Sequence, residues 1–419
     1  MNKIFSSLLL IVSVVLIQLP IAADASAAGA EESEKPKRKT QLVGPTVGKK
    51  VGKAFEAYSA DDIPGALAIL LEIDASKEYD KAYVSRFIAV MYAQMGSEEA
   101  KAIEYLKAAV EPDILNEGDQ DQALKLLADL QMQVKDYEGA LVNYKAWMDF
   151  TGKSDGDTWT KIANAHYSLK QLDKIIVPAN NAIAAYGDKH NKNPYILKIT
   201  SYYESKKYPE AVETLETVLQ LFPADKTWWT QLGMFYLLVE DYKKSLATLD
   251  LAHKQGFLEK ESEIKTLASL YSQNEVPYKA ALLLEKYIDS GLVARDDKNL
   301  SSLANAWHAS QHIDKAAKIY GELAKMTNLA KHYSKQGMLL KQDEQFKSAI
   351  VALNKALEIG VPNEGKLYMS IAESHFYLEQ YKQAYKAINL AMKDPKSRKS
   401  AKGWVGFIKD TAQRKKVSI

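Results

Sequence analysis

The sequence predicts an all-α fold: a right-handed superhelical α-solenoid of about ten helix-turn-helix repeats with a C-terminal capping helix. Three observations predict it. Apolar residues recur at steps of three and four, the spacing of amphipathic helices. These helices come in pairs that repeat at a period close to 35 residues. Only 20 Gly and 12 Pro punctuate 419 residues, too few turn formers for an all-β chain.

The elements follow in order. Lys3 precedes an apolar run from Ile4 to Leu19, Pro20 breaks it, and Ala23-Asp24-Ala25 offers a small-x-small cleavage pattern. That is the layout of a secretory signal peptide over residues 1–25, so the expected location is periplasmic. Residues 26–50 are rich in Ala, Lys and Glu with little to bury, and predict a flexible charged linker. With no cysteine there is no disulfide, thiolate nucleophile or cysteine metal site. The 55 basic and 53 acidic residues nearly cancel, which disfavours a dedicated nucleic-acid binder.

Residues 51–396 predict the repeat region. In the stretch Trp228–Ala252, Trp229, Leu232, Gly233 and Tyr236 form one helical stripe, and Tyr242, Ser245, Leu249 and Ala252 form a second beyond the polar Glu240-Asp241. The second helix opens at Tyr137, Leu172, Tyr208, Tyr242, Pro277, Ile313, Phe346 and Tyr381 in successive copies. Three residues later stand Ala140, Ile175, Ala211, Ser245, Ala280, Ala316, Ala349 and Ala384. A small side chain there lets the two helices cross closely. Large knobs follow four residues on, from Tyr144 to Ile388, and two looser copies centred on Ala66 and Ala102 precede the eight.

These residues resemble the tetratricopeptide repeat family, whose pattern is W-x2-L-G-x2-Y, then Y-x2-A-x3-F-x2-A, then P. Trp229-Leu232-Gly233-Tyr236 and Tyr208-Ala211-Leu215-Val218-Pro223 stand close to it. The resemblance implies an array whose first helices line a concave, partner-binding groove. The stripe that it assigns to the groove contains Thr160, Asn164, Tyr167, Ile196, Thr200, Tyr203, Met234 and Leu237 in repeats four to six. In repeats eight to ten it contains Lys298, Asn305, His308, Lys331, Met338, Lys341, Lys366 and Phe376. The first set mixes backbone-bonding and apolar side chains; the second is more basic and suits an acidic segment or a terminal carboxylate. The leader, residues 276–293 and residues 393–409 also look like those of periplasmic tetratricopeptide proteins of Gram-negative bacteria associated with TonB/ExbB/ExbD systems. That resemblance implies TonB, ExbB, ExbD or an outer-membrane receptor as partners.

Residues 397–419 predict a basic capping helix and tail, with Arg398, Lys399, Lys402 and Lys409 on its surface and Trp404, Phe407 and Ile408 at helical spacing. The cap closes the last repeat; its charge also suits an anionic lipid or an acidic partner.

Three motifs mimic chemistry. Gly152–Gly156 (GKSDG) has a nucleophile-elbow spacing around Ser154, but a helix and not a strand precedes it. Gly44–Lys50 (GPTVGKK) has three residues between its glycines where a phosphate loop has four, and reads as linker. His308 and His312 stand four apart, but Ala309 replaces the glutamate of a zinc-protease motif. No catalytic set, metal or cofactor is implied. The expectation is a non-enzymatic protein-binding scaffold in a TonB-type system. Its alternatives are a scaffold for polysaccharide export or outer-membrane assembly, an envelope enzyme, and an RNA-binding helical repeat.

Overall fold

The structure, a computed structural model, describes residues 38–419. The signal-peptide expectation and residues 26–37 of the linker therefore lie outside the described residues. The described residues form helices and connections with no β-strand, and they divide into two compact units, one reaching to Ser154 and one spanning Asp155–Ile419. None of the described helices is long and apolar enough to cross a membrane.

The first unit holds three hairpins: α1 (Pro45–Ser59) with α2 (Ile63–Leu71), α3 (Glu78–Met95) with α4 (Glu99–Val110), and α5 (Glu117–Gln133) with α6 (Tyr137–Thr151). The second unit opens with α7 (Gly156–Ser168) and α8 (Ile176–Tyr186), α9 (Lys192–Glu204) and α10 (Tyr208–Leu221), and α11 (Lys226–Leu238) and α12 (Tyr242–Lys254). It continues with α13 (Glu261–Gln273) and α14 (Pro277–Asp289), then α15 (Asp297–Ala309) and α16 (Ile313–Thr327). It ends with α17 (Ala330–Gln342) and α18 (Phe346–Ile359), α19 (Glu364–Tyr377) and α20 (Tyr381–Ala391), and a last helix α21 (Arg398–Arg414). Within each unit, helices pack mainly on their sequence neighbours, which is the contact pattern of an α-solenoid.

The seam of each hairpin is where the repeat register predicts it. Ala140, Ile175, Ala211, Ser245, Ala280, Ala316, Ala349 and Ala384 are all 0% exposed, as are Ala66 and Ala102 in the two looser copies. Knobs such as Leu106, Tyr144, Leu215, Leu249 and Leu353 are equally inaccessible. At Gly233 the approach is close: a Cβ would stand 2.5 Å from Leu249 Cδ2. Ser245 donates its hydroxyl to the Gly233 carbonyl at 2.8 Å, so the one polar small residue of the series is satisfied.

Each hairpin turns on a single left-handed residue. These are Asp61, Lys135, Lys170, Lys206, Glu240, Glu275, Gln311, Glu344 and Glu379, and in the second hairpin Gly96. Except in the second hairpin, the next residue's N–H returns to the first helix, as in Lys207 to the Tyr202 carbonyl and Asp241 to the Tyr236 carbonyl, both at 2.8 Å. This six-residue closure satisfies carbonyls that the helix end would otherwise orphan. It offsets the strain of holding a side-chain-bearing residue there, about 1 kcal/mol or more. Asp62, Asp136 and Asp241 then cap the second helix by accepting from Gly65, Gly139 and Lys244 N–H groups.

Two expectations need correction. The flexible lead-in was expected to run to residue 50, with Gly44–Lys50 as linker, but α1 begins at Pro45. Proline fits a helix's first position because its missing N–H has no partner there anyway. Residues before it are tied down as well. The Arg38 guanidinium donates to the Asp113 carbonyl at 2.7 Å and covers the Phe150 ring, and Gly44 N–H donates to Asp80 Oδ1 at 2.9 Å. The second correction is at Leu172, expected to open an α-helix. Leu172–Ile175 forms a 3₁₀ turn and α8 starts at Ile176. Pro178 requires this: from Ile176 it lies in the first turn, where no N–H is needed. Ile175 fills the small-residue position with a larger, branched side chain.

Candidate functional site

The first helices of the second unit carry the predicted stripe, and its two halves differ. On α7, Asn164 is exposed and Tyr167 half-buried against the small core of Ala163, Ile175 and Ala179. Thr160 is spent locally, donating to the Gly156 carbonyl at 2.7 Å. On α9, Ile196 is 38% exposed, Thr200 is half-buried, and Tyr203 leans on Phe235 with ring centroids 5.6 Å apart. On α11, Met234 and Leu237 are half-buried, Leu237 against the core below. This half presents apolar and hydroxyl-bearing edges supported from beneath, the composition that favours contact with another chain.

In the other half two of the four stripe lysines face carboxylates. Lys341 is ion-paired with Glu373 of α19, and Lys331 stands 3.9 Å from Asp297 of α15. Asn305 accepts from the Tyr320 hydroxyl at 2.7 Å, and Ser370 donates to Met338 Sδ at 3.2 Å. Lys298 and Lys366 are exposed, and His308 is half-buried. Phe376 is enclosed by Tyr381, Trp404 and Phe407, with the Phe407 centroid 5.0 Å away. The expected basic face for an acidic segment is therefore reduced: Lys341 and Lys331 already have carboxylates from neighbouring first helices. On α21, Lys399 and Lys402 are exposed, Arg398 Nε donates to the Met392 carbonyl at 3.1 Å, and Lys409 lies 5.3 Å from the Tyr385 ring.

The lookalike motifs resolve structurally. Ser154 is exposed in the loop before α7, and Asp155 caps that helix by accepting from Thr158 N–H at 2.6 Å. His312 begins α16 as its N-cap residue; its ring lies 5.1 Å from those of Tyr278 and Trp307, and its Nδ1 is 2.9 Å from the Ser310 carbonyl. Asp296 caps α15 by accepting from Asn299 N–H at 2.8 Å.

A hollow in the first unit was missed. It measures ≈ 330 Å³ and lies between α3 and α5, lined by Arg86, Val90, Gln122, Lys125, Leu126 and Asp129 among others. Arg86 reaches Asp119 at 2.7 Å and lies 4.7 Å from the Phe87 ring, while its Nε is buried without a partner. Trp147 Nε1 donates to Asp121 Oδ1 at 2.6 Å and its ring supports Lys125 at 4.3 Å. Arg86, Val90, Gln122, Lys125 and Asp129 occupy the stripe positions of the second and third hairpins. Counting back from the left-handed residues Gly96 and Lys135 locates them. The signal was present in the register, but the loose copies were not read through to their first helices.

Several tyrosines brace successive helices through carboxylates. Tyr144 donates to Asp129, Tyr236 to Glu216 and Tyr271 to Asp250. Burial, reinforced by Asp157, pushes the Tyr186 hydroxyl up to about 12, and burial with Glu216 or Asp250 raises Tyr236 and Tyr271 in the same way. Lys198, at the foot of the α9 stripe, is shifted downward by burial, opposed by Glu213.

What the chain's own hairpins define is an all-α helical-repeat protein. No protein-family model matches the sequence, and no curated protein matches it. Similar solved structures are tetratricopeptide repeat proteins and assemblies. One is a tetratricopeptide repeat protein from Parabacteroides merdae ATCC 43184, at 10% identity over 63% of this chain and 99% of that one, with a TM-score of 0.36. Another is YrrB, described as a TPR protein with an unusual peptide-binding site, at 19% identity over 43% of this chain and 91% of its own, TM-score 0.35. The Cut9–Hcn1 hetero-tetramer of the APC/C matches at 13% identity over 86% of this chain and 83% of that one, TM-score 0.29.

Proposed function

We propose that this chain is a non-enzymatic scaffold that holds a peptide or protein partner along the first helices α7, α9 and α11. The observation that carries the reading is the row Tyr167, Ile196, Tyr203, Met234 and Leu237, apolar side chains left partly exposed at successive stripe positions. Buried neighbours hold these side chains in place, so little conformational entropy is lost when a partner covers them. The exposed Asn164 supplies hydrogen-bonding capacity beside them for an extended backbone.

The finer reading is an exported, periplasmic accessory of a TonB-type uptake system, with TonB, ExbB, ExbD or an outer-membrane receptor as partner. Its support is the leader pattern of residues 1–25 and the likeness carried by residues 276–293 and 393–409. The test is photo-crosslinking of the full chain in its native host from Tyr203, Met234, Lys341 and Trp404. Trapping of TonB, ExbD or an outer-membrane receptor from Tyr203 and Met234 supports both readings. A different envelope protein trapped from the same positions keeps the scaffold and removes the TonB role. No adduct from Tyr203 or Met234, with adducts from Trp404, removes the stripe.

A further inference from the structure

In the first unit, residues 38–43 lie outside any helix along the turn between α4 and α5, and mainly polar contacts hold them. The Arg38 guanidinium donates from Nη1 to the Asp113 and Leu115 carbonyls, at 2.7 and 3.2 Å, and from Nη2 to the Asp113 carboxylate. It also lies 4.5 Å from the Phe150 ring centroid. Three residues on, Asn116 takes both backbone groups of Gln41. Its Oδ1 accepts from the Gln41 N–H at 2.8 Å, and its Nδ2 donates to the Gln41 carbonyl at 3.1 Å. Gly44 N–H then donates to Asp80, a residue only 3% exposed. The side chains between these anchors, Lys39 and Thr40, are exposed.

Three features distinguish this arrangement from a simple tether. Asn116 is the N-cap residue of α5, where an asparagine side chain ordinarily accepts from the helix's own first N–H groups. It makes no such bond. Its amide serves Gln41 instead, and a further hydrogen bond from Nδ2 to the Tyr79 hydroxyl at 2.7 Å fixes its direction. Next, Asp113 is held left-handed at φ 52 outside the hairpin turns, and both its carbonyl and its carboxylate serve Arg38. Strain of this kind persists only where surrounding contacts hold it. Last, apolar burial contributes little. Val43 packs partly on the core, but Leu42 stays 87% exposed. Hydrogen bonds and an ion pair open to water hold such a segment only modestly.

We propose that the α4–α5 turn is a peptide-binding site in its own right. Residues 38–43 close it in cis as a strap, and when the strap lifts it takes an arginine-bearing segment of a partner protein. Asp113, the Leu115 carbonyl and Phe150 receive the arginine, and Asn116 reads the backbone three residues on. The two positions between are free to vary. Residues 111–121 contain five Asp or Glu and no Lys or Arg, so the turn favours a basic segment and repels nucleic acid and anionic lipid. The site belongs to the first unit and does not depend on the α7–α11 stripe.

The experiment is fluorescence anisotropy of a labelled peptide of residues 38–43, titrated with the full chain and with its variant Arg38→Ala/Gln41→Pro. That variant loses the guanidinium and the N–H that Asn116 reads, so its site is open. It binds the peptide at least about tenfold more tightly than the parent chain, whose site is occupied. In the open variant, Asn116→Ala weakens binding about tenfold while the melting temperature holds, since no cap bond is lost. An Arg38→Ala peptide binds about tenfold more weakly as well. Asp113→Asn, which tolerates the left-handed backbone, removes the preference for arginine over glutamine at that position. Should the open variant fail to fold, the parent chain decides. Hydrogen exchange in the segment containing Gln41 quickens with millimolar peptide and not with the Arg38→Ala peptide. Unchanged exchange, or binding to the open variant that is absent or indifferent to Asn116→Ala and to the peptide's arginine, overturns the proposal. So does a dimer of the parent chain in sedimentation that Arg38→Ala abolishes, because the strap would then be exchanged between copies.

Discussion

The stripe on α7, α9 and α11 and the stripe on α15, α17 and α19 occupy identical register positions, yet they offer a partner different things. The first leaves Ile196, Met234 and Leu237 partly open on a supported surface. The second uses Lys341, Lys331, Asn305 and Met338 on neighbouring groups of its own unit. Register decides which side chains point out of a solenoid; the side chain one repeat further on decides whether they are available. A lysine that finds a carboxylate on the next first helix stiffens the array and is partly withdrawn from recognition.

The strongest test of the comparison removes what the two regions share. Gly233→Val in α11 puts a Cβ 2.5 Å from Leu249, and Gly337→Val in α17 puts one 2.6 Å from Leu353 Cγ. Both are expected to destabilise the second unit by about 1–3 kcal/mol in urea unfolding, since a packed seam cannot yield freely. A loss in one helix alone would show that the regions do not share one seam.

Next in size is the contrast in binding. Met234→Glu is expected to weaken the captured partner by about 2 kcal/mol, or roughly 30-fold, whereas Lys298→Ala and Lys366→Ala change affinity by less than about 0.5 kcal/mol. Titration of the three variants with the crosslinked partner checks it, and an equal effect of Lys366→Ala would erase the difference drawn above. Smaller again is Lys341→Ala, which leaves Glu373 without its cation. Both side chains retain some solvent contact, so the expected loss is about 1 kcal/mol or less, shrinking with added salt. Lys298→Ala should show no such loss in the same unfolding series.

The alkaline limb sharpens the comparison from the other side, because the strongest tyrosine braces lie in α8 to α13. Tyr186 is raised to about 12, and Tyr236 and Tyr271 are raised as well, each by burial first and a carboxylate second. In the unfolded chain these phenols ionise near 10, so the unfolded state loses protons first. Their contribution is therefore full below about pH 10 and is lost as pH rises toward about 12. Denaturation followed against pH should fall in that window, and Tyr186→Phe should flatten the fall. The size is modest because Tyr186 remains partly in water.

Much of this was legible beforehand. The pairing of helices, the seam residues and the stripe positions all follow from a 3.6-residue period repeated near every 35, and burial at Ala140 through Ala384 agrees with it. The start of the ordered chain was not legible, because residues 38–44 look polar and loose and are fastened by partners such as Asp113 and Asn116, more than 70 positions away. The turns were only half legible. Their left-handed residues are Lys, Glu, Gln and Asp in nine of ten cases, with Gly96 the exception, so the usual glycine signal is missing. The hollow at Arg86 was overlooked for the related reason that the early repeats match the pattern loosely.

The sequence by itself determined the all-α class, the hairpin register and the face that each first helix turns outward. These are local properties, written in residues three to eight apart, and helix geometry converts them directly into direction. Tertiary structure alone decided which outward residues are open and which are spent. Lys341 reaches Glu373 across 32 positions and Tyr271 reaches Asp250 across 21. Such outcomes depend on distances between helices, which no periodicity within a helix contains.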